Sequence, residues 1–388
     1  MAIFVLPWVK RSEKGMTAHQ LLIALNRVPG VGFAKVRSLE RAFGSLTAAA
    51  GVSEREIAEN CKDLGPRLAA EVFVALHSDF ALREEERAAK CSVRLITLDD
   101  PEYPDALRAL EMQMPPLVLY CVGDVTLLRQ TQVAIIGTRR ASVYGADQAK
   151  RFALRLVEAG LHVTSGLAEG IDSAAHEGAL LTHASGKTIA VIGAALDCIY
   201  PASRAPLARE IIHKGGCIVS EYPFGRHADA KTFPQRNRLV ASLAKAVFIV
   251  ESPVRSGTLI TADFAQTYGK QIYILPGRVD QPSFAGNHRL LREGIGRLVT
   301  CPEHILDDFG VLDLREGHPV EAETIPAGLT DDEALLYDAV GAEGATLDTV
   351  AEKTGLPMAQ LMTCSITLQM RKRLIAAPGG LLRRAPHL

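Results

Sequence analysis

Six short apolar runs recur between residues 133 and 275, and they limit the possible fold more than any other feature of the chain. They are "VAIIG" (133–137), "HVTSG" (162–166), "TIAVIG" (188–193), "CIVSE" (217–221), "AVFIV" (246–250) and "QIYIL" (271–275). Each is short, β-branched and apolar without alternation, and segments of helical character separate them. Strands buried on both faces look like this, because a strand with helices packed on either side has no solvent face to make polar. The βαβ rhythm predicts an α/β fold: an extended Rossmann-like, doubly wound and mostly parallel sheet. Ligands of such sheets bind beyond the carboxyl ends of the strands. Four polar motifs fall at those ends: "GTRRAS", "SGLAEGID", "GAALD" and "ESPVRSGTLITA".

The flanks follow different rules. Residues 17–95 are predicted as a helical domain of SAM or helix-hairpin-helix type. Leu21, Leu22, Leu25, Val28 and Val31 keep helix-face spacings around the turn "VPGVG". Such a turn brings backbone N–H groups and a helix N-terminus to a phosphate, or else joins two helices of a small bundle. Residues 96–309 are expected to form the Rossmann-like domain. Residues 310–328 are polar, contain Gly and Pro, and lack periodicity, the mark of a linker. Residues 329–388 have the helix, turn, helix and short hairpin of a winged helix. Residues 1–16 are expected to be a disordered extension, with Met16 a candidate initiator.

Composition excludes several classes of function. A net charge of −1 over 388 residues rules out a uniformly basic coat protein, though not a local basic groove. The seven cysteines are scattered with no C-x-x-C pair, which predicts no metal site and suits a reducing cytoplasm. The apolar run in "MAIFVLPWVKRSEKGM" is too short to span a membrane and its charges lie on the wrong side for a signal peptide.

Basic charge is nevertheless concentrated. The stretch "GRHADAKTFPQRNR" (225–238) sets Arg226, Lys231, Arg236 and Arg238 around Phe233, against the single acid Asp229. Cations beside an aromatic ring suit single-stranded nucleic acid, whose bases are free to stack while its backbone is charged. "VAIIGTRRASVYG" stands where a dinucleotide fingerprint would, but has only Gly137 before Thr138, Arg139 and Arg140. A bulky cation replaces the second glycine, which favours direct phosphate binding. Ser256, Gly257 and Thr258 precede an amphipathic stretch and form a second phosphate seat. In "SGLAEGIDSAAH", Ser165 lacks the G-x-S-x-G context of a hydrolase nucleophile, so the motif is expected to be a glycine-rich turn capped by Asp172 or Ser173. Ser165, Gly166 and Lys187 form a secondary candidate set.

These motifs together resemble the DprA family, also called Smf. The resemblance runs through "VAIIGTRRASVYG", "SGLAEGIDSAAH", "TIAVIGAALDCIYP", "SEYPFG", "FPQRNRLVASLA", "ESPVRSGTLITADFAQTYGK", "ILPG" and "GNHRLLREG". It implies a non-enzymatic DNA-processing protein of natural transformation. Such a protein binds and protects single-stranded DNA, helps displace single-strand binding protein, loads RecA and dimerises. The family's G-S/T-R motif falls on Gly137, Thr138 and Arg139. Its F-P-x-R-N-R falls on Phe233, Pro234, Arg236, Asn237 and Arg238, with Lys231 just upstream. Its S-G-T/S-L-I-T-A falls on Ser256 to Ala262. Ala194 and Ala195 depart from the pattern where the family has more glycine, which narrows that loop. No cofactor is implied. The winged helix, with five cations in "MRKRLIAAPGGLLRR", would contact duplex DNA or another protein. The competing readings are a nucleotide phosphoribohydrolase on a similar fold and a transcriptional regulator led by the winged helix.

Overall fold

The computed structural model describes residues 15–109, 115–310, 329–341, 344–371, 373–377 and 380–384. Most of the expected extension 1–16 and of the expected linker 310–328 lies outside them. The chain divides into two units, the larger made of residues 1–141 and 148–311 and the smaller of residues 312–388 together with 142–147.

The larger unit is built on nine strands among the described residues: β1 (Arg94–Thr97), β2 (Val118–Gly123), β3 (Gln132–Ile136), β4 (His162–Ser165), β5 (Thr188–Val191), β6 (Cys217–Ser220), β7 (Ala246–Ile249), β8 (Gln271–Ile274) and β9 (Arg297–Leu298). All six predicted strands are present, as β3 to β8. Strands β3 to β7 are buried along their whole length, which is why their sequences do not alternate. The spatial order is β1-β2-β6-β5-β4-β3-β7-β8-β9. From β6 to β9 every pair is parallel, whereas β1 and β2 extend the sheet antiparallel beyond β6. From β3 the chain winds outward through β4, β5 and β6, then returns to lay β7 on the other side of β3. That reversal is the topological switch point, where two strand-end loops diverge and leave a crevice.

The N-terminal helices begin at Ala18–Asn26, whose Thr17–Gln20 capping box satisfies two otherwise orphaned N–H groups. After the "VPGVG" turn, where Gly30 has φ +86°, the chain enters Phe33–Phe43. Leu21, Leu25, Leu39 and Val72 of this segment share one continuous core with Ile96, Val118, Val219 and Ile249 of the sheet. The boundary expected between residues 95 and 96 is therefore not a break in packing. Two antiparallel edge strands and a helical cap bury each other's apolar faces, at about 1.5–3 kcal/mol for each fully buried aliphatic side chain.

The smaller unit holds helices Asp331–Val340, Leu347–Thr354 and Met358–Met370. They pack with a three-stranded antiparallel sheet, β10 (Ala345–Thr346), β12 (Leu381–Arg384) and β11 (Leu374–Ala377) in that order. Leu336, Tyr337, Val350, Leu361, Leu368, Leu374 and Leu382 form its core. No helix among the described residues is long and apolar enough to cross a membrane.

Candidate functional site

At the switch point a cleft of about 360 Å³ opens between the loops after β3, β4 and β7 and the helix Thr232–Leu243. The loop after β3 is fixed first. Thr138 donates its N–H to the Glu251 carbonyl (2.7 Å), and its own carbonyl accepts from the Ile171 N–H (3.2 Å). A Cβ on Gly137 would collide with the Ile171 side chain and lie 2.9 Å from the Glu251 oxygen, so only glycine lets the two loops approach this closely. With its backbone held, the loop turns Arg139 and Arg140 out to solvent. The Arg139 guanidinium lies 4.6 Å from the centre of the Phe233 ring, a cation–π contact at the mouth of the cleft.

The helix Thr232–Leu243 is started by Asp229, whose carboxylate accepts from the N–H groups of Lys231 (2.7 Å) and Thr232 (2.9 Å). These hydrogen bonds hold the Asp229 carboxyl below the usual carboxylate range, and Arg226 pairs with the same group. Lys231 remains exposed at the start of this helix.

Beneath the cleft lies a buried polar layer. Arg236 is only 4% exposed and donates to the carbonyls of Gly166 and Val191. Gly166 has no room for a Cβ because the Arg236 and Asp172 side chains fill that space. Burial raises the Asp172 carboxyl above its ordinary range, against the attraction of Arg236. His176, fully buried, meets the Thr188 hydroxyl through Nδ1 (2.7 Å); burial and then the Arg236 charge push its pKa down to about 3. Among the described residues no group of three or more His, Cys, Asp or Glu side chains is placed to hold a metal ion.

Two family models match this chain: DNA recombination-mediator protein A over residues 94–310, and the DprA winged helix domain over residues 320–380. The chain belongs to the DNA recombination-mediator protein A family. It is 37% identical over 301 residues to protein Smf of Escherichia coli, covering 76% of this chain and 79% of that one. Among solved structures it is similar to DNA processing protein A of Streptococcus pneumoniae (TM-score 0.62, 28% identity, 76% of this chain and 99% of that one). It is also similar to DNA processing protein A of Helicobacter pylori, whose structure describes a single-stranded DNA binding mode (TM-score 0.50, 34% identity, 56% of this chain and 95% of that one).

Within this family member, the residues singled out by sequence have unequal positions. Gly137, Thr138, Arg139, Arg140, Phe233, Arg236, Asn237, Ser256, Gly257 and Thr258 all line the one cleft. Not all of them are available to a ligand there. Arg236 points down and is tied to carbonyls. Arg238, with its side chain 11% exposed, pairs with the equally buried Glu221. Residues two apart on a helix project about 200° apart, so a basic cluster in sequence divides between faces. Three free cations are thus not what "KTFPQRNR" supplies. Two of its arginines are structural, and Asn237 bridges to the Gly257 carbonyl (3.2 Å).

The turn of Ser256, Gly257 and Thr258 lines the cleft at the start of a helix. Ser256 caps the helix Gly257–Thr267 by accepting from the Thr258 N–H (3.1 Å), and it donates its own proton to the Thr258 hydroxyl (2.9 Å). The Ser256 hydroxyl is thus spent within its own turn, which leaves an anion the Thr258 hydroxyl proton and the positive end of the helix. Ser165 is fully buried and donates to the Ile135 carbonyl (2.6 Å), so it serves neither as nucleophile nor as ligand contact. Lys187 precedes β5 and donates to the Ala184 carbonyl (3.0 Å), at the amino end of the sheet and away from the cleft. Neither Asp172 nor Ser173 caps the helix Ile171–Ala179: the cap position is Gly170, and Ser173 donates to the Ala168 carbonyl (2.6 Å).

Two residues that were not candidates stand at or beside the cleft. Arg255 is exposed and lines the cleft, and its signal was a cation directly before Ser256. Tyr200 is exposed with its ring centre 5.8 Å from that of Phe233; its signal was an aromatic residue in the segment after β5.

Proposed function

We propose that this chain is a non-catalytic, single-stranded-DNA-binding protein of transformation and recombination that protects the strand and loads a RecA recombinase onto it. It acts in the cytoplasm as a homodimer. One observation carries the reading: a free arginine, Arg139, lies across an aromatic ring, Phe233, at the open mouth of a switch-point cleft. Exposed Arg140, Lys231 and Arg255 add positive charge around it. Phosphates are held by these cations and by the positive end of the helix Gly257–Thr267, while a base stacks on Phe233.

Binding requires Arg139 to exchange partners. Its contact with the ring is worth about 0.5–1 kcal/mol at an exposed site. A hydrogen bond to a charged phosphate is worth about 1.5–3 kcal/mol, so a phosphate wins and uncovers the ring. Stacking then adds about 1–3 kcal/mol per base with little regard to sequence. Duplex DNA offers the same phosphates but hides its base faces. Four phosphate contacts would give a log–log salt slope near −3 on single strands.

Fluorescence anisotropy with a labelled oligonucleotide, single-stranded against duplex and across a salt series, tests this. Single strands are expected to bind better, with Phe233→Ala weaker by about 5- to 150-fold and its salt slope unchanged. Equal binding of both forms, or a silent Phe233→Ala, would overturn the reading.

A further inference from the structure

The ring that supports the single-strand reading is partly occupied. Arg139 lies over Phe233 at 4.6 Å, and Phe233 is itself half-buried. Beside it stands a more accessible ring. Tyr200 is 54% exposed, and its ring is tilted 53° to Phe233 with the centres 5.8 Å apart. No hydrogen bond to its hydroxyl is present among the described residues.

An exposed aromatic ring on a mobile loop would mean little, but the backbone around Tyr200 is tied. The Ala195 N–H donates to the Arg226 carbonyl (2.8 Å), and the Cys198 N–H to that of Ala195 (2.9 Å). Asp197 accepts from the Gly225 N–H (3.0 Å) and pairs with Arg87 (2.6 Å). The Arg204 N–H closes the next turn onto the Pro201 carbonyl (2.9 Å). The alanines of the "GAALD" segment contribute to this: Ala194 and Ala195 are buried, and the Ser220 hydroxyl donates to the Ala194 carbonyl (2.7 Å). A fixed backbone therefore presents an exposed ring beside Phe233, and a rigid aromatic platform binds without a large ordering cost.

We propose that Tyr200 is a base-stacking residue of this site, carrying the nucleotide next to the one that Phe233 takes. The inference rests on the single-strand reading above. The geometry excludes a clamp around one base, because sandwiching a base needs parallel rings about 7 Å apart, twice the roughly 3.5 Å carbon contact distance. Rings 5.8 Å apart and tilted by 53° instead offer separate faces to successive bases. Tyr200 takes a base without displacing anything, whereas Phe233 opens only when a phosphate draws Arg139 away. Tyr200 is thus the first platform and Phe233 the second.

The test uses the full chain, with a fluorescein-labelled oligothymidylate and an abasic oligonucleotide carrying the same phosphates. Tyr200→Ala is expected to weaken oligothymidylate binding by about 5- to 150-fold, the range one stacked base implies. It leaves abasic binding and the salt slope unchanged, and Tyr200→Phe matches the wild type. An unchanged thermal midpoint confirms that the variants fold. Three results would overturn the proposal: a silent Tyr200→Ala, equal losses on both probes, or Tyr200→Phe as weak as Tyr200→Ala. A wild type that binds no single strands would sink the underlying reading and this one with it. A wild type that binds while Tyr200→Ala is silent sinks this one alone.

Discussion

The switch-point cleft of the larger unit and the helix Met358–Met370 of the smaller one make an instructive contrast. On sequence grounds the cleft was a candidate for single strands, and the unit that holds this helix was a candidate for duplex DNA or a protein through its basic end "MRKRLIAAPGGLLRR". The cleft places exposed cations over a buried layer that is itself polar, with Asp172, His176 and Arg236 below Arg139 and Arg140. The helix contains no charged residue, and Met358, Met362, Ile366 and Met370 run along it at four-residue intervals, 39% to 81% exposed. Its unit has an almost wholly aliphatic core. Two of the five cations near its end are engaged at home, since Arg371 pairs with Glu333, and Arg384 donates to the Tyr337 carbonyl and lies over the Tyr337 ring, while Arg373 is exposed. A count of basic residues treats the two regions alike. What separates them is where the charge lies relative to the backbone that holds it.

The largest expected effect breaks the cleft from below. Arg236→Met removes the cation facing buried Asp172 and strips a donor from the Gly166 and Val191 carbonyls. Removing one partner of a buried charged pair costs about 3–5 kcal/mol, read as a lower denaturant midpoint. An unchanged midpoint would mean that Arg236 is not structural. The same layer makes the larger unit sensitive to acid. His176 has a folded pKa of about 3, depressed from the ordinary value near 6.5. Below pH 6.5 the unfolded chain takes up a proton that the folded chain refuses. Stability therefore falls as the pH drops toward 3, by up to about 1.4 kcal/mol per pH unit. The raised Asp172 carboxyl acts with the opposite sign, since protonation favours its folded form as the pH falls. His176→Gln keeps a donor for Thr188 and is expected to flatten the pH dependence between pH 6 and pH 4. An unaltered slope assigns the acid sensitivity to other groups.

Arg139→Ala sharpens the contrast from above. Losing a charged phosphate contact is expected to weaken single-strand binding by about 10- to 150-fold, equivalent to about 1.5–3 kcal/mol. The salt slope becomes shallower by about 0.7. Because Arg139 is exposed, its stability effect stays within about 0.5 kcal/mol. Two arginines of one cleft thus give opposite signatures, binding without stability for Arg139 and stability first for Arg236. Identical signatures would erase the distinction between surface and foundation.

How far the sequence went depends on the physics each residue obeys. The parallel strands β3 to β8 were legible because burial forces nearly continuous Val and Ile runs, as in "VAIIG" and "AVFIV", whereas parallel β9 is two exposed residues and left no such run. Strands β1 and β2 were not legible either, since an antiparallel extension needs no such run: in β1, Arg94 is exposed and Thr97 buried. Glycine was informative at Gly137, where two backbones nearly touch. Cation positions were the weak point. Whether Arg236 and Arg238 face solvent depends on helix phase and on partners distant in sequence, the Gly166 carbonyl and Glu221, that no local motif announces. Tyr200 escaped for a related reason. Its meaning comes from Phe233, more than thirty residues away, and from a loop whose rigidity is set by Arg87 and Arg226.

The smallest expected effect is the most pointed test of the comparison. If the smaller unit contacted duplex DNA through Met358–Met370, that helix would need donors for phosphates and base edges, and it presents mainly thioethers and aliphatic carbon. Replacing Met362 and Ile366 together with Ser removes exposed apolar surface without adding charge. Duplex affinity should then stay within twofold, as should single-strand affinity, with stability changed by less than about 0.5 kcal/mol. Anisotropy on both probes checks this. A tenfold loss on duplex alone would put this helix against DNA and make the two regions functional equals. Unchanged binding gives the apolar row no part in contact with a nucleic acid.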